Sequence, residues 1–171
     1  MRLEIRGEEA QDALGRRLAD LLCPPLTVWL EGDLGTGKTT LTRGILRGLG
    51  HSGAVRSPTY TLLEPYDLGH RRLYHLDLYR LGDSEELEYL GLRDLLDRDS
   101  LIFVEWPQRG GAILPPADLI IRLQYGDGGR VLDLLPLTTA GAELVTALAD
   151  ILRNQERNGV GKMIGYKVLG G

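Results

Sequence analysis

Gly32-Asp33-Leu34-Gly35-Thr36-Gly37-Lys38-Thr39 fits the pattern G-x-x-x-x-G-K-[ST] in full. Each residue type has a chemical reason to be there. Glycines let the backbone curl until successive N–H groups face one anion. Lys38 is spaced to reach the β- and γ-phosphates of a nucleotide, and Thr39 offers a hydroxyl to Mg²⁺. A helix starting at Lys38 would add its positive end to the same place. Gly35, Thr36, Gly37 and Thr40 complete the expected phosphate contacts. By composition, such a match arises by chance in roughly one of a few hundred chains of this length. The expected ligand is ATP with Mg²⁺.

A phosphate loop alone only binds. Hydrolysis needs an acid near the metal, a group that positions water, and a sensor of the γ-phosphate. Glu105 follows the apolar run Leu101-Ile102-Phe103-Val104, so a strand end would deliver its carboxylate to the crevice above a sheet. Asp77 lies between Leu76 and Leu78, an odd place for a solvated charge, and suits a metal-bound water or a base. Lys38, Asp77 and Glu105 are therefore the catalytic candidates, with Thr39, Glu105 and Asp77 the metal candidates. Trp106 either stacks near the nucleotide or packs against the sheet. Arg80 either pairs with an acid or faces the phosphates. Ser57 and Thr59 flank Pro58 in a loop whose hydroxyls would sense the γ-phosphate or the metal, as switch segments do. His51, His70 and His75 have no metal-ligand spacing and read as structural.

The elements that must position these groups are an α/β set. Residues 8–22 read as an amphipathic helix closed by Pro24 and Pro25, and residues 26–30 as a buried strand. The phosphate loop leads into a helix over 38–49, stopped by Gly50. Two strands, 59–66 and 71–79, form one hairpin, and 118–125 with 130–137 form another. Short helices are expected from Asp83 to Leu90 and over 92–96, a buried strand over 101–104, and a last helix over 142–152. The fold class is α/β of the P-loop NTPase kind, three-layered, with a mixed, mostly parallel central sheet flanked by helices and β-hairpins. Residues 1–152 form the domain; residues 153–171 read as a loose basic extension.

With 171 residues, 43% hydrophobic and 26% charged, the chain has the composition of one globular domain. No apolar run suits a bilayer crossing or a signal peptide, so the expected location is the cytoplasm, with no membrane partner. The single cysteine, Cys23, rules out an internal disulfide and a cysteine-built zinc site. The net charge of −4 is uneven: residues 153–171 carry +3, which leaves −7 for residues 1–152. An acidic body is a poor match for a phosphate backbone, so any nucleic acid would be held mainly by a partner. Lys38 is the one lysine in the first 161 residues, against many arginines. The exception falls where a compact ammonium on a flexible stem fits a phosphate loop.

Four motifs occur in order: the loop 32–40, Ser57-Pro58-Thr59-Tyr60-Thr61-Leu62, His75-Leu76-Asp77-Leu78-Tyr79-Arg80, and Val104-Glu105-Trp106-Pro107. Together they resemble the TsaE (YjeE) family, the bacterial ATPases of tRNA threonylcarbamoyladenosine synthesis, over about residues 8–150. The resemblance implies a protein that binds ATP and Mg²⁺, hydrolyses ATP slowly, and supports TsaD with TsaB, meeting tRNA indirectly through that complex. It implies Mg²⁺ held by Thr39 and Glu105, Asp77 needed for activity, and a switch at Ser57 to Thr59. It also puts Gln108 and Arg130 near the nucleotide. Gln11 stands where the family often has a threonine near the base of ATP, and would offer an amide there. The alternative is a small-molecule P-loop kinase, which calls for an arginine-bearing lid. Between Gly110 and Gly129 the one basic residue is Arg122, inside an expected strand. A GTPase is disfavoured because no Asn-Lys-x-Asp occurs.

Overall fold

A computed structural model describes residues 1–95, 97–157 and 165–169. Eight strands form one sheet in the order β3-β4-β5-β2-β6-β7-β1-β8. They are β1 (Arg2–Ile5), β2 (Leu26–Glu31), β3 (Leu63–Asp67), β4 (Arg72–Asp77), β5 (Ser100–Glu105), β6 (Leu119–Gly126), β7 (Gly129–Pro136) and β8 (Tyr166–Leu169). The helices are α1 (Glu8–Ala19), α2 (Lys38–Gly48), the short α3 (Glu86–Tyr89) and α4 (Thr139–Arg157). Three-residue and four-residue 3-10 turns lie at Leu92–Leu95, Pro107–Arg109 and Gly111–Ile113.

The α/β class stands, but the sheet is less parallel than expected. Only the central pairs β4–β5, β5–β2 and β2–β6 are parallel. The pairs β3–β4, β6–β7, β7–β1 and β1–β8 are antiparallel. Both hairpins belong to the sheet rather than flanking it, because each shares a strand with the parallel centre. That centre is buried on both faces, so β2 and β5 read as continuous apolar runs. Alternate residues divide between two cores. Leu101 and Phe103 join α1, α2 and α4 on one side; Ile102 and Val104 join α3 and the 3-10 turns on the other.

Several boundaries differ for local reasons. α1 stops at Ala19, ahead of the two prolines, and Leu22 reaches the core from a turn. α3 is shorter than expected because the Glu86 carboxylate accepts the amides of Gly82 and Asp83, which turns the chain before Glu86. The expected 92–96 piece is a 3-10 turn over Leu92–Leu95; Leu96 lies outside the described residues. The expected loose extension is partly built into the fold. α4 continues through Arg157, and β8 pairs with β1 through partners such as Arg2 with Leu169. Residues 158–164, 170 and 171 lie outside the described residues. Among the described residues no helix is long and apolar enough to cross a membrane.

α1 and α2 meet backbone to backbone. A Cβ on Gly15 would lie 2.6 Å from the Leu41 carbonyl oxygen, and one on Gly44 would lie 2.4 Å from that of Asp12. Only glycine allows that approach. It brings Gln11 of α1 against the loop that starts α2.

Candidate functional site

The phosphate-loop residues join β2 to α2 at the carboxyl ends of the parallel strands, where open α/β sheets place their ligands. Gly37 caps α2 with φ +99°, and a Cβ there would lie 2.4 Å from the Gln11 side chain. Any other residue would be strained and crowded. The loop divides two hollows. The larger, about 530 Å³, is lined by Lys38, Thr39, Asp77 and Glu105 along with Ser57 and Thr59. The smaller, about 360 Å³, holds Gln11, Thr40 and Arg130 on its wall. Gly35, Gly37 and Thr40 line both.

Strand pairing sets the acids. Asp77 ends β4, Glu105 ends β5, and the two are register partners. Both are 3% exposed. Thr39 donates through Oγ1 to Glu105 Oε1 at 3.2 Å. Asp77 Oδ2 accepts Ser57 Oγ at 2.9 Å and Thr59 Oγ1 at 2.5 Å, while its Oδ1 accepts the Tyr79 amide at 3.0 Å. The segment at 57–59 is therefore tied to the end of β4 by one carboxylate.

Lys38 is buried, and its ammonium donates to the carbonyls of Gly32 at 2.7 Å and Asp33 at 2.9 Å. Burial pulls its pKa below the usual lysine value, and the carboxylates of Glu105, Asp77 and Asp33 pull the other way. The indole of Trp106 lies 4.5 Å from that ammonium, a cation–π arrangement. Trp106 holds φ +58°, in the left-handed region, and packs against the second core. Of its two sequence readings the packing one holds, and the ring also faces the loop lysine. Arg80 lines the larger hollow and lies over the Tyr60 ring at 4.3 Å, donating to its hydroxyl. Among the described residues it makes no ion pair.

Gln108 is exposed on a 3-10 turn and lines neither hollow, so the fold does not bring it to the loop. His75 was the residue that sequence reasoning underrated. Its ring is fully buried, and Nε2 lies 2.9 Å from Glu105 Oε1. Nδ1 is buried without a partner. With one proton on the ring, Nε2–H donates to the carboxylate and Nδ1 keeps a lone pair, which costs less than an orphaned N–H. The available signal was spacing: His75 is two residues before Asp77 on one strand, hence on the same face.

The set is therefore a backbone loop with a buried cation, two buried carboxylates, and three hydroxyls bonded to those carboxylates. Chemically it can cradle an anion and present oxygen ligands to a hard cation. Comparison with known proteins agrees with this architecture. The family described as threonylcarbamoyl adenosine biosynthesis protein TsaE matches residues 5–131. The chain is 45% identical over 141 residues to the tRNA threonylcarbamoyladenosine biosynthesis protein TsaE of Haemophilus influenzae, covering 80% of this chain and 89% of that protein. It is 42% identical over 141 residues to the TsaE of Streptomyces coelicolor, covering 81% and 95%. The crystal structure of Bacillus subtilis YdiB superposes with a TM-score of 0.75 at 29% identity, over 88% of this chain and 94% of that one. With the family model matching residues 5–131 and relatives 42% and 45% identical over 141 residues, this chain belongs to the TsaE family of threonylcarbamoyl adenosine biosynthesis proteins.

Proposed function

We propose that this chain binds ATP with Mg²⁺, hydrolyses it slowly, and uses its nucleotide state to support TsaD and TsaB in tRNA threonylcarbamoyladenosine synthesis. The observation that carries the reading is the convergence on Lys38 of two buried strand-end carboxylates, each already bonded to hydroxyls of the loop or of the 57–59 segment. Lys38 would hold the β- and γ-phosphates. Asp77 would orient or deprotonate the attacking water while holding Ser57 and Thr59 where they can sense the γ-phosphate.

The donor set fits Mg²⁺. Thr39 and Glu105 offer hard oxygens, with Asp77 nearby. Among the described residues no group of three His, Cys, Asp or Glu side chains could hold a metal without help. Mg²⁺ prefers that situation, taking one or two protein oxygens and completing its shell with phosphate and water. When bound it would neutralise charge developing on the phosphates. A kinase reading gains nothing from the fold, since Arg122 lies inside strand β6 beside Glu31 at 2.9 Å rather than on a lid.

His75 gives a separate check on the metal position. If it holds the Glu105 carboxylate in place, His75→Leu should raise the Mg²⁺ concentration needed for half-maximal ATP binding about 10-fold. His75→Gln, whose amide can donate from nearly the same point, should restore most of that loss. ATP binding measured without Mg²⁺ should stay the same in both variants. Equal Mg²⁺ requirements in wild type and His75→Leu would reduce the histidine to a packing role.

The function itself is tested by phosphate release from the protein alone and with purified TsaD and TsaB. A slow basal rate that rises with both partners is the expected result. A preparation that binds ATP yet shows no rise would remove the partner-gated reading.

A further inference from the structure

Four consecutive loop carbonyls are held from behind. Tyr125, on β6, donates its hydroxyl to Leu34 O at 2.8 Å. Arg130, on β7, donates from Nη2 to Gly35 O at 3.2 Å and from Nε to Thr36 O at 3.3 Å. Gln11, on α1, donates from Nε2 to Gly37 O at 2.8 Å. The Arg130 guanidinium also lies 4.4 Å from the centre of the Tyr125 ring, so the two hairpin residues brace each other.

A peptide group is planar and trans, so its N–H points opposite to its carbonyl. Turning the carbonyls of Leu34, Thr36 and Gly37 toward the hairpin and α1 turns the amides of Gly35, Gly37 and Lys38 the other way. Those three amides have no protein partner among the described residues. The amide of Thr36 bonds to Asp33 O at 3.3 Å and helps close the curl. The N–H and O–H groups that hold these carbonyls point at the loop backbone rather than at a ligand.

We propose that Tyr125, Arg130 and Gln11 form a clasp that holds the phosphate-loop amides toward the anion, and that they act as positioning residues for phosphate rather than as contacts to the nucleobase. This rests on the phosphate-binding reading of the loop. The clasp draws on two separate elements, the β6–β7 hairpin and α1, which line the same hollow. Each is fixed by its own packing: the hairpin by the sheet, α1 by its glycine contact with α2. The loop is thus pre-shaped before any ligand arrives, which lowers the ordering cost of binding.

The test compares ATP with inorganic tripolyphosphate, which has the phosphates and no base, both in the presence of Mg²⁺. Calorimetry would be run on wild type, Tyr125→Phe, Arg130→Lys and Gln11→Met. None of these changes the net charge, so long-range attraction is kept. Each removes a donor or its fork while preserving most of the shape, and thermal melts check that the variants fold. Arg130→Lys and Gln11→Met should weaken ATP and tripolyphosphate by the same factor, about 5- to 10-fold, since each loses hydrogen bonds that orient the loop. Tyr125→Phe should lose less, about 2- to 5-fold, because Tyr125 is exposed and water can replace its hydroxyl. Losses confined to ATP would overturn the clasp and make these residues base contacts. No loss for either ligand would overturn it as well, and so would a wild type that holds ATP but not tripolyphosphate. A wild type that binds neither would instead overturn the phosphate reading, and the clasp with it.

Discussion

Asp77→Asn is expected to slow single-turnover phosphate release about 10²-fold while ATP affinity stays within a few-fold. The side chain is buried, ends a central strand, and spends its oxygens on three donors: Ser57, Thr59 and the Tyr79 amide. Asparagine keeps the shape and one acceptor. The hydroxyls of Ser57 and Thr59 can rotate to accept instead of donate, so the 57–59 segment need not detach. What asparagine removes is the negative charge and the ability to take a proton. A group that acts mainly in the transition state lowers the rate without weakening ground-state binding. The paired control is Ser57→Ala with Thr59→Val, which frees the segment and leaves the carboxylate. If that control reproduces the whole loss, Asp77 works only as an anchor. If Asp77→Asn turns over at the wild-type rate, the carboxylate has no chemical role.

The parts of this site that depend on local sequence were legible, and those that depend on long-range partners were not. The phosphate loop is a contiguous string, and the buried strand before Glu105 is a run of four apolar residues. The parallel register of β4 with β5, which no local pattern gives, then carries Asp77 and Glu105 to one crevice. β1 was missed because four residues, Arg-Leu-Glu-Ile, give one alternation and no more; its partner β7 lies about 130 residues away, so pairing decides it. β8 was missed for the same reason, and because its basic, glycine-flanked sequence resembles a tail. His75 has no motif of its own; its meaning comes from Glu105, which arrives through a parallel pairing 30 residues later. Gln11 and Arg130 were expected near the nucleotide, and they are near the loop that would hold it. Which side of the loop they bond could not be read without the peptide planes.

The acidic body and the buried cation belong to one electrostatic scheme. Burial disfavours the charge on Lys38, and Glu105, Asp77 and Asp33 partly offset that, while those same acids would repel phosphate unless Mg²⁺ came with it. Selectivity for a metal-bound nucleotide over bare phosphate would follow from that balance. The arginines at the rim are already engaged, Arg80 with Tyr60 and Arg130 with Tyr125, so they soften this repulsion without filling the hollow.

Lys38→Met should weaken ATP binding about 10- to 100-fold, because it removes a charge-assisted contact worth about 1.5–3 kcal/mol. It should do so without the loss of stability that a buried-residue change usually brings. Lys38 carries a pKa below the free value of 10.5, with burial the largest cause. The unfolded chain keeps that proton up to about 10.5, whereas the folded protein releases it earlier. In the window between the two values, unfolding takes up a proton, so raising the pH favours the folded state. Below the window the folded protein bears the whole cost of the buried charge. Methionine fills nearly the same space with no charge to desolvate, so the variant should lack this rise. The measurement is the difference in thermal midpoint, wild type minus variant, from about pH 8 to about pH 10. It should grow with pH. A flat or falling difference would mean the acids around Lys38 outweigh its burial. Unchanged ATP affinity in calorimetry would remove Lys38 from the phosphate site altogether.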